Sequence, residues 1–495
     1  MKDGERMSEI KFFSKEEIEP TGFINEILEV AKSFIKKDES AIAALTYTYL
    51  SRWTKEPLNL FLKGESSIGK SYVTINTINI LGKDKDVWNL GGLTPKALIR
   101  GHGTLKDENG IEIGNIERPS RNKIKLEHPE ASKQDIEEMY NAAVNAWNEL
   151  IQNSYYEINL EGKLLVFLEP PNLETFQILR PILSHDTERI SYRFPEKTKS
   201  GSIRTINVVL KGFPATIFCT SEEEYLKDLS TRSLTLTPEL SVEKVKESVN
   251  LISKLSAYSE KLLSADTTKI KTQMDKIKVK APKDVLTPFS EQVEKYIEYW
   301  GKRVMRDWKH LLTMVKMNAL LNFESRPKIY IDNQPYLLAS ASDYITVLKF
   351  WSEIEETTIT GISGSALEVF EKLIKPTAVD GITNYTKLTE KSKEVMSEPL
   401  TSSTLRFYIK ALKDVGLIET FQDPENPRKK VIKVISEGRT MFGNEALKYI
   451  YSQNQHIFTG ENLKQWLKTL YSMCWKKRVS LKADFSFENL LKKLT

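Results

Sequence analysis

The chain has 495 residues, with 72 lysines and arginines against 67 acids, a formal charge of +5, and 40% hydrophobic residues. That balance is ordinary for a soluble globular protein with room for roughly three domains of about 150 residues, and such mild basicity confines any nucleic-acid contact to local patches. Two distant cysteines, Cys219 and Cys474, and five scattered histidines exclude a disulfide scaffold, a zinc ribbon and a His-rich metal cluster. No apolar run approaches the ~20 residues of a membrane span, and the opening MKDGERMSEIKFF lacks the apolar segment of a secretory signal. The expectation is a multi-domain protein that is intracellular and cytoplasmic, with no membrane partner.

In chain order, 1–53 reads as an N-terminal helical segment, charged over 1–20. From Gly22 to Trp53, apolar residues at helical spacing (Ile24, Ile27, Leu28, Ala31, then Ile42, Leu45, Tyr49) predict two helices. Leu58–Leu62, entered through Pro57, predicts a buried strand. A glycine-rich turn and a helix over Ser71–Ile80 follow, then a second strand over Val87–Leu90. The polar stretch 106–161, with one helix near Ser132–Ile151, reads as an insertion. Leu164–Leu168 and Ala215–Cys219 are further buried strands, and strands alternating with helices predict a parallel α/β sheet. Beyond Pro238 the pattern turns helical: Val242–Ser264 and Pro288–Leu321 are long helices joined by the lysine-rich Lys269–Lys283, with a linker near Thr357–Ser365. Helices over Ala366–Ile374, Tyr385–Val395 and Ser402–Val415, then strands at Gly416–Thr420 and Lys430–Ile435, form the winged-helix pattern over 366–436. The stretch 443–495 reads as more helix.

Gly64-Glu65-Ser66-Ser67-Ile68-Gly69-Lys70-Ser71 fits G-x-x-x-x-G-K-[ST], leaving an apolar strand and entering a helix. Glycines let successive amides curl toward phosphate oxygens, and the helix adds its positive N-terminal end. Lys70 would reach the β- and γ-phosphates and Ser71 would offer its hydroxyl to Mg²⁺, making ATP and Mg²⁺ the expected cofactors. Leu164–Leu168 leads to Glu169, a second acidic strand end. Leu168 stands where a magnesium-holding aspartate would be, so Glu169 is either the catalytic base beside a thin metal shell or has itself taken the metal-side role.

These motifs, in this order, resemble the AAA+ ATPases across roughly 25–350. The resemblance implies a P-loop core over 54–238 with a helical lid over 239–356. It makes the end of Ala215–Cys219 the sensor 1 strand, with Thr220 or Ser221 touching the γ-phosphate or the attacking water. Arg232 takes the arginine-finger position, supplied to a neighbouring subunit, and Arg306 the sensor 2 position, with Arg303 as fallback. The segment 188–210 reads as a hairpin. It is similar to the pre-sensor 1 hairpin of minichromosome maintenance and superfamily-three viral helicases, which implies DNA contact through Lys197 and Lys199 at the tip and Arg193 and Arg204 on the arms. In the winged helix, Arg406, Lys410, Arg428, Lys429 and Lys430 are the candidate DNA contacts, joined by Lys413 and Lys433. The run Trp475-Lys476-Lys477-Arg478 is a further basic patch, read as solvated.

The reading that follows is an ATP-driven DNA helicase or translocase forming a homo-oligomeric, hexameric ring. The alternative is an initiator or loader using ATP as a switch for DNA binding, and a third reading is a protein-remodelling ATPase.

Overall fold

The computed structural model describes residues 22–64, 68–91, 93–114, 118–197, 203–220, 229, 232–238, 242–258, 265–297, 304–360, 369–379, 381–396, 400–414, 417–422, 430–434, 441–442, 446, 449–450, 454–483 and 486–494. Its contacts divide the chain into two units, 86–216 on one side and 1–85 with 217–495 on the other. That division falls inside the segment read from sequence as one ATPase core.

The larger unit begins with the two expected helices, Phe23–Ala31 and Glu39–Ser51. The second is apolar on every side, so it is buried on every side. Its threonine hydroxyls are met within the helix, Thr46 bonding Ile42 O and Thr48 bonding Ala44 O at 2.8 Å. Ser51 Oγ accepts the Leu58 amide at 2.8 Å, which aims the chain into strand β1, Asn59–Leu62. The helix Lys70–Leu81 follows.

The smaller unit opens with β2, Val87–Leu90, the helix Pro95–His102 and β3, Thr104–Lys106. The stretch read as an insertion carries the helices Arg121–Glu127 and Lys133–Asn153, the latter opened by a Ser132–Asp135 capping box, and ends in β4, Tyr155–Asn159. Strand β5 is Leu164–Phe167, one residue shorter than expected, and the helix Leu173–Leu183 follows. Strands β6, Arg189–Lys197, and β7, Ile203–Lys211, form the expected hairpin. It is not free-standing: β7 also pairs parallel with β4, and β4 antiparallel with β3. Asn207 is the last β7 residue paired to β4, so the pairs from Phe194–Ile206 to Lys197–Ile203 run beyond β4 as a two-stranded ribbon. In the same unit β2 pairs parallel with β5, and Ala215, opening strand β8 (Ala215–Cys219), donates its amide to Lys163 O at 3.0 Å.

The division between the units falls within β8. In the larger unit, Thr220, just past β8, donates its amide to Leu62 O at 3.2 Å, and β1 pairs parallel with β9, Leu234–Leu236. Strand β1 thus lies between β8 and β9, with its carboxyl end beside that of β8.

Beyond Pro238 the structure departs from the all-helical expectation. Helices occur at Val242–Ala257, Ser290–Glu294, Val304–Leu321 and Ala341–Thr360, so the long pattern over Pro288–Leu321 is two helices. Lys269–Lys283, read as a connector, contains the helix Thr268–Lys280, which buries Ile270, Met274 and Ile277 while its lysines stay outside. Three strands were not expected here: β10, Val285–Leu286, β11, Lys328–Ile331, and β12, Gln334–Leu338. The last two form a tight hairpin through Asp332 and Asn333, both at positive φ, where asparagine and aspartate are tolerated. Helix Ala341–Thr360 runs into the expected linker at Thr357–Ser365, whose residues 361–365 lie outside the described ones, as do 366–368 of the helix expected next.

The next segment builds a core of its own. A helical stretch, Phe370–Thr377, strand β13 (Ile382–Asn384), the helices Tyr385–Val395 and Ser402–Asp414, and strands β14 (Ile418–Gln422) and β15 (Lys430–Val434) enclose Phe370, Leu373, Leu388, Leu405, Ile409, Leu412 and Ile432. The antiparallel sheet runs in the order β13-β15-β14. The final stretch, read as helical, holds helices at Gly460–Lys477 and Phe487–Leu494. It also supplies strand β16, Leu481–Ala483, which completes the sheet β10-β12-β11-β16.

One buried carboxylate ties the larger unit together. Asp343, fully buried, accepts bonds from Arg326 Nε and Nη2 at 2.7 Å each, Asn318 Nδ2 at 2.8 Å, Ser340 N at 2.7 Å and Ser340 Oγ at 3.0 Å. Asn318 in turn receives the Tyr47 hydroxyl at 3.0 Å, joining the central helix to the network. Removing one partner of a buried pair costs about 3–5 kcal/mol, whereas an apolar replacement of both costs far less. Asp343→Leu should therefore lower the unfolding midpoint in urea strongly, and Asp343→Leu with Arg326→Met should recover much of the loss.

Candidate nucleotide and DNA-contact sites

The phosphate-loop sequence sits between β1 and the helix Lys70–Leu81, with Glu65, Ser66 and Ser67 outside the described residues. Gly64 has φ +130° and Gly69 φ +94°, both in the region that favours glycine. A Cβ on Gly64 would run into the Ile68 side chain, while one on Gly69 would meet open space. Gly69 is the residue before the helix, and its carbonyl accepts the first helical bond from Val73 N at 2.9 Å. Lys70 Nζ donates to Gly64 O at 2.7 Å, closing the loop on itself. Burial holds the Lys70 pKa below the ordinary lysine value.

Strand β8 delivers two side chains to the same place. Cys219 Sγ lies 3.3 Å from Thr74 Oγ1, and Thr74 also donates to Lys70 O at 2.9 Å. Burial raises the Cys219 thiol pKa, with hydrogen bonds to Thr74 and Ser71 and the charge of Lys70 acting the other way. The thiol therefore stays protonated at neutral pH, packed against the half-buried Ser71. The role of Cys219 was not read from the sequence, although its place beside Thr220 at a strand end was the available signal. Thr220 is buried, and its Oγ1 has no hydrogen-bond partner among the described residues. A hydroxyl at the carboxyl end of β8 with no partner among the described residues, a lysine whose charge reaches the neighbouring Cys219, and two glycines at positive φ together suit an anionic oxygen ligand.

The remaining residues are placed separately. Glu169 is exposed and follows β5 by two positions, rather than emerging from the strand itself, and Leu168 is half-buried between. After β2, Thr94 caps the helix Pro95–His102: its Oγ1 accepts the Ala97 amide at 3.3 Å, and Leu93 O receives the Thr175 hydroxyl at 2.7 Å. Arg232 is half-buried in the turn before β9, with its amide bonded to Leu229 O at 2.9 Å. Arg306 is exposed in the first turn of Val304–Leu321, and Arg303 and Ser221 lie outside the described residues.

For DNA, Arg193 is exposed on β6 opposite Asn207, where the ribbon leaves β4. Lys197 and Arg204 occupy backbone positions at its far end, and Lys199 lies outside the described residues. On Ser402–Asp414, Arg406, Lys410 and Lys413 are exposed on one stripe, about a quarter-turn around the helix from the buried Leu405, Ile409 and Leu412. Lys430 and Lys433 are exposed on β15, and Arg428 and Lys429 fall outside the described residues. No group of three or more metal-ligating His, Cys, Asp or Glu occurs among the described residues, and none of their helices is long and apolar enough to cross a membrane.

No protein-family model matches the chain, and no curated protein does. Among solved structures it is similar to that of the Aeropyrum pernix Orc1 protein in complex with DNA, at 11% identity and a TM-score of 0.20, over 87% of this chain and 96% of that one. A superposition of that quality assigns no role to any residue, so the sites rest on their own chemistry.

Gly69→Ala should weaken binding of a fluorescent ATP analogue by about tenfold, because a left-handed φ costs an alanine roughly 1–2 kcal/mol. Gly91→Ala, at a position with open space and an ordinary φ, should leave it unchanged.

Proposed function

We propose that the protein is an ATP-binding, DNA-binding ATPase of the AAA+ type, in which nucleotide acts as a switch for DNA engagement, as in an initiator or loader. The observation that supports this reading is the closed glycine loop after β1, with Lys70 Nζ on Gly64 O; Thr220, whose amide bonds Leu62 O at the end of that strand, has a hydroxyl with no partner among the described residues. The amides of 64–71 and Lys70 would hold the phosphates, and Ser71 Oγ would hold Mg²⁺, which takes hard oxygen ligands. When bound, the metal neutralises charge on the β- and γ-phosphates. Thr220 would read the terminal phosphate, and Arg306 would contact the phosphates. Arg232 would be offered across a subunit boundary in a ring, hexameric in the families the sequence resembles.

Two features favour a switch over a rapid motor. Leu168 stands in place of a metal-holding acid, and Glu169 is exposed two residues beyond β5. A thin acidic shell slows hydrolysis more than it weakens binding, because the phosphates are held by the loop. The helicase reading keeps one observation in its favour, the ribbon of β6 and β7 beyond β4, which would carry Arg193, Lys197, Lys199 and Arg204 to a DNA strand. The module from Phe370 to Val434 fits a winged helix, with the Arg406–Lys410–Lys413 face as its duplex contact.

The decisive comparison measures duplex affinity with and without a non-hydrolysable ATP analogue. Wild type should bind tighter with the analogue, and Lys70→Ala should lose that dependence while keeping its nucleotide-free affinity. An unchanged nucleotide response in Lys70→Ala would remove the phosphate loop from the account. ATP-driven displacement of a forked duplex, abolished by Lys197→Ala with Lys199→Ala, would place the motor ahead of the switch. Arg406→Ala with Lys410→Ala should lower the salt dependence of duplex binding by a slope of about 1.8, at roughly 0.9 per phosphate contact.

A further inference from the structure

The helix Gly460–Lys477 and its cap Arg478 carry one acid, Glu461, and five bases, Lys464, Lys468, Lys476, Lys477 and Arg478. The helix is anchored on one side, where Leu463 and Cys474 are buried and Gly460 lies against Leu491. Its outer side is unusual. Positions 464, 468, 471 and 475 recur at steps of four, three and four, so they share one face about 16 Å long. That face reads Lys464, Lys468, Tyr471, Trp475 and then Arg478 at the cap, all exposed, with the tyrosine 61% and the tryptophan 75% accessible. Glu461 sits one turn before it. Among the described residues none of these cations makes an ion pair, and Lys482 on the following strand β16 is also exposed. The short run Trp475–Arg478, which looks like a solvated patch as sequence, is thus the end of a longer built surface.

Two flat aromatic rings one helical turn apart, flanked by unpaired cations, match a chain that alternates anionic groups with exposed π-faces. A membrane-surface helix segregates its cations from its apolar residues onto opposite sides, whereas here they share one stripe. Duplex DNA keeps its base faces stacked inside, so the rings would gain nothing from it. We propose that the outer face of Gly460–Lys477 binds single-stranded nucleic acid, with phosphates on Lys464, Lys468 and Arg478 and bases stacked on Tyr471 and Trp475. This surface is separate from the phosphate loop and does not depend on nucleotide.

The test uses the full chain without ATP, with a fluorescently labelled oligothymidylate followed by anisotropy across a salt series. Tyr471→Ala with Trp475→Ala should weaken binding at least tenfold and leave the salt slope unchanged, because stacking is not electrostatic. Lys464→Ala with Lys468→Ala should lower the slope by about 1.4, at roughly 0.7 per phosphate on a single strand. All four residues are exposed, so both variants should keep the wild-type thermal unfolding profile, and a folded variant pair with wild-type affinity and slope would overturn the proposal. Binding to phosphatidylserine vesicles that is lost in the variants, while oligothymidylate binding persists, would overturn it in favour of a lipid surface.

Discussion

The larger unit depends on placing a carboxylate where water cannot reach it. Asp343 is tolerated there only because two guanidinium nitrogens, an amide side chain, a backbone amide and a hydroxyl all converge on it. Those donors come from Val304–Leu321, the residues just after it, and the start of Ala341–Thr360. Through Asn318 and Tyr47 the network reaches the central buried helix. The far end of that helix hands Ser51 Oγ to the residue before β1, so the strand that precedes the phosphate loop is positioned by a polar core deep behind it. The glycine loop can be thin and strained because the strand and helix around it are held firmly.

Elements whose character is local were readable in advance. β2, β8, and the helix Tyr385–Val395 lie at the positions their apolar runs and caps imply, because each buries a short, continuous or strictly periodic set of side chains. The hairpin of β6 and β7 was legible from two β-patterned arms around a polar tip. Its sheet was not, because β3 and β4 come from a charge-rich stretch whose pairing partners are set by tertiary contacts. The same holds for β10, β11, β12 and β16, two to five residues each, too short for periodicity to register. The lysine-rich Thr268–Lys280 was mistaken for a connector because its three buried apolar residues, Ile270, Met274 and Ile277, are outvoted by the charges between them.

At the candidate nucleotide site, the motif named candidate residues but not how they are neighboured. Lys70 and Ser71 follow from the motif's spacing, and Thr220 from the resemblance that makes the end of β8 a sensor strand. Cys219 does not, because a thiol touching Ser71 and Thr74 is a fact of how β8 packs beside the helix Lys70–Leu81. For Glu169 the offset from the end of β5 is one residue of strand length, which no sequence pattern resolves. The stripe on Gly460–Lys477 lay half outside the run that drew attention, because a helix gathers residues three and four apart that a linear reading separates.

Strand β16 has a consequence for how the chain is made. Ile329 in β11 pairs with Ala483, so the two halves of one sheet are separated by about 150 residues that must be synthesised between them. While a ribosome is still extending the chain, the outer edge of β11 has an unfilled ladder, the sort of surface that invites wrong strand pairing. The intervening module has its own enclosed core and can fold during that wait. The sheet that holds β11 is then completed only when a distant segment reaches back across everything made since.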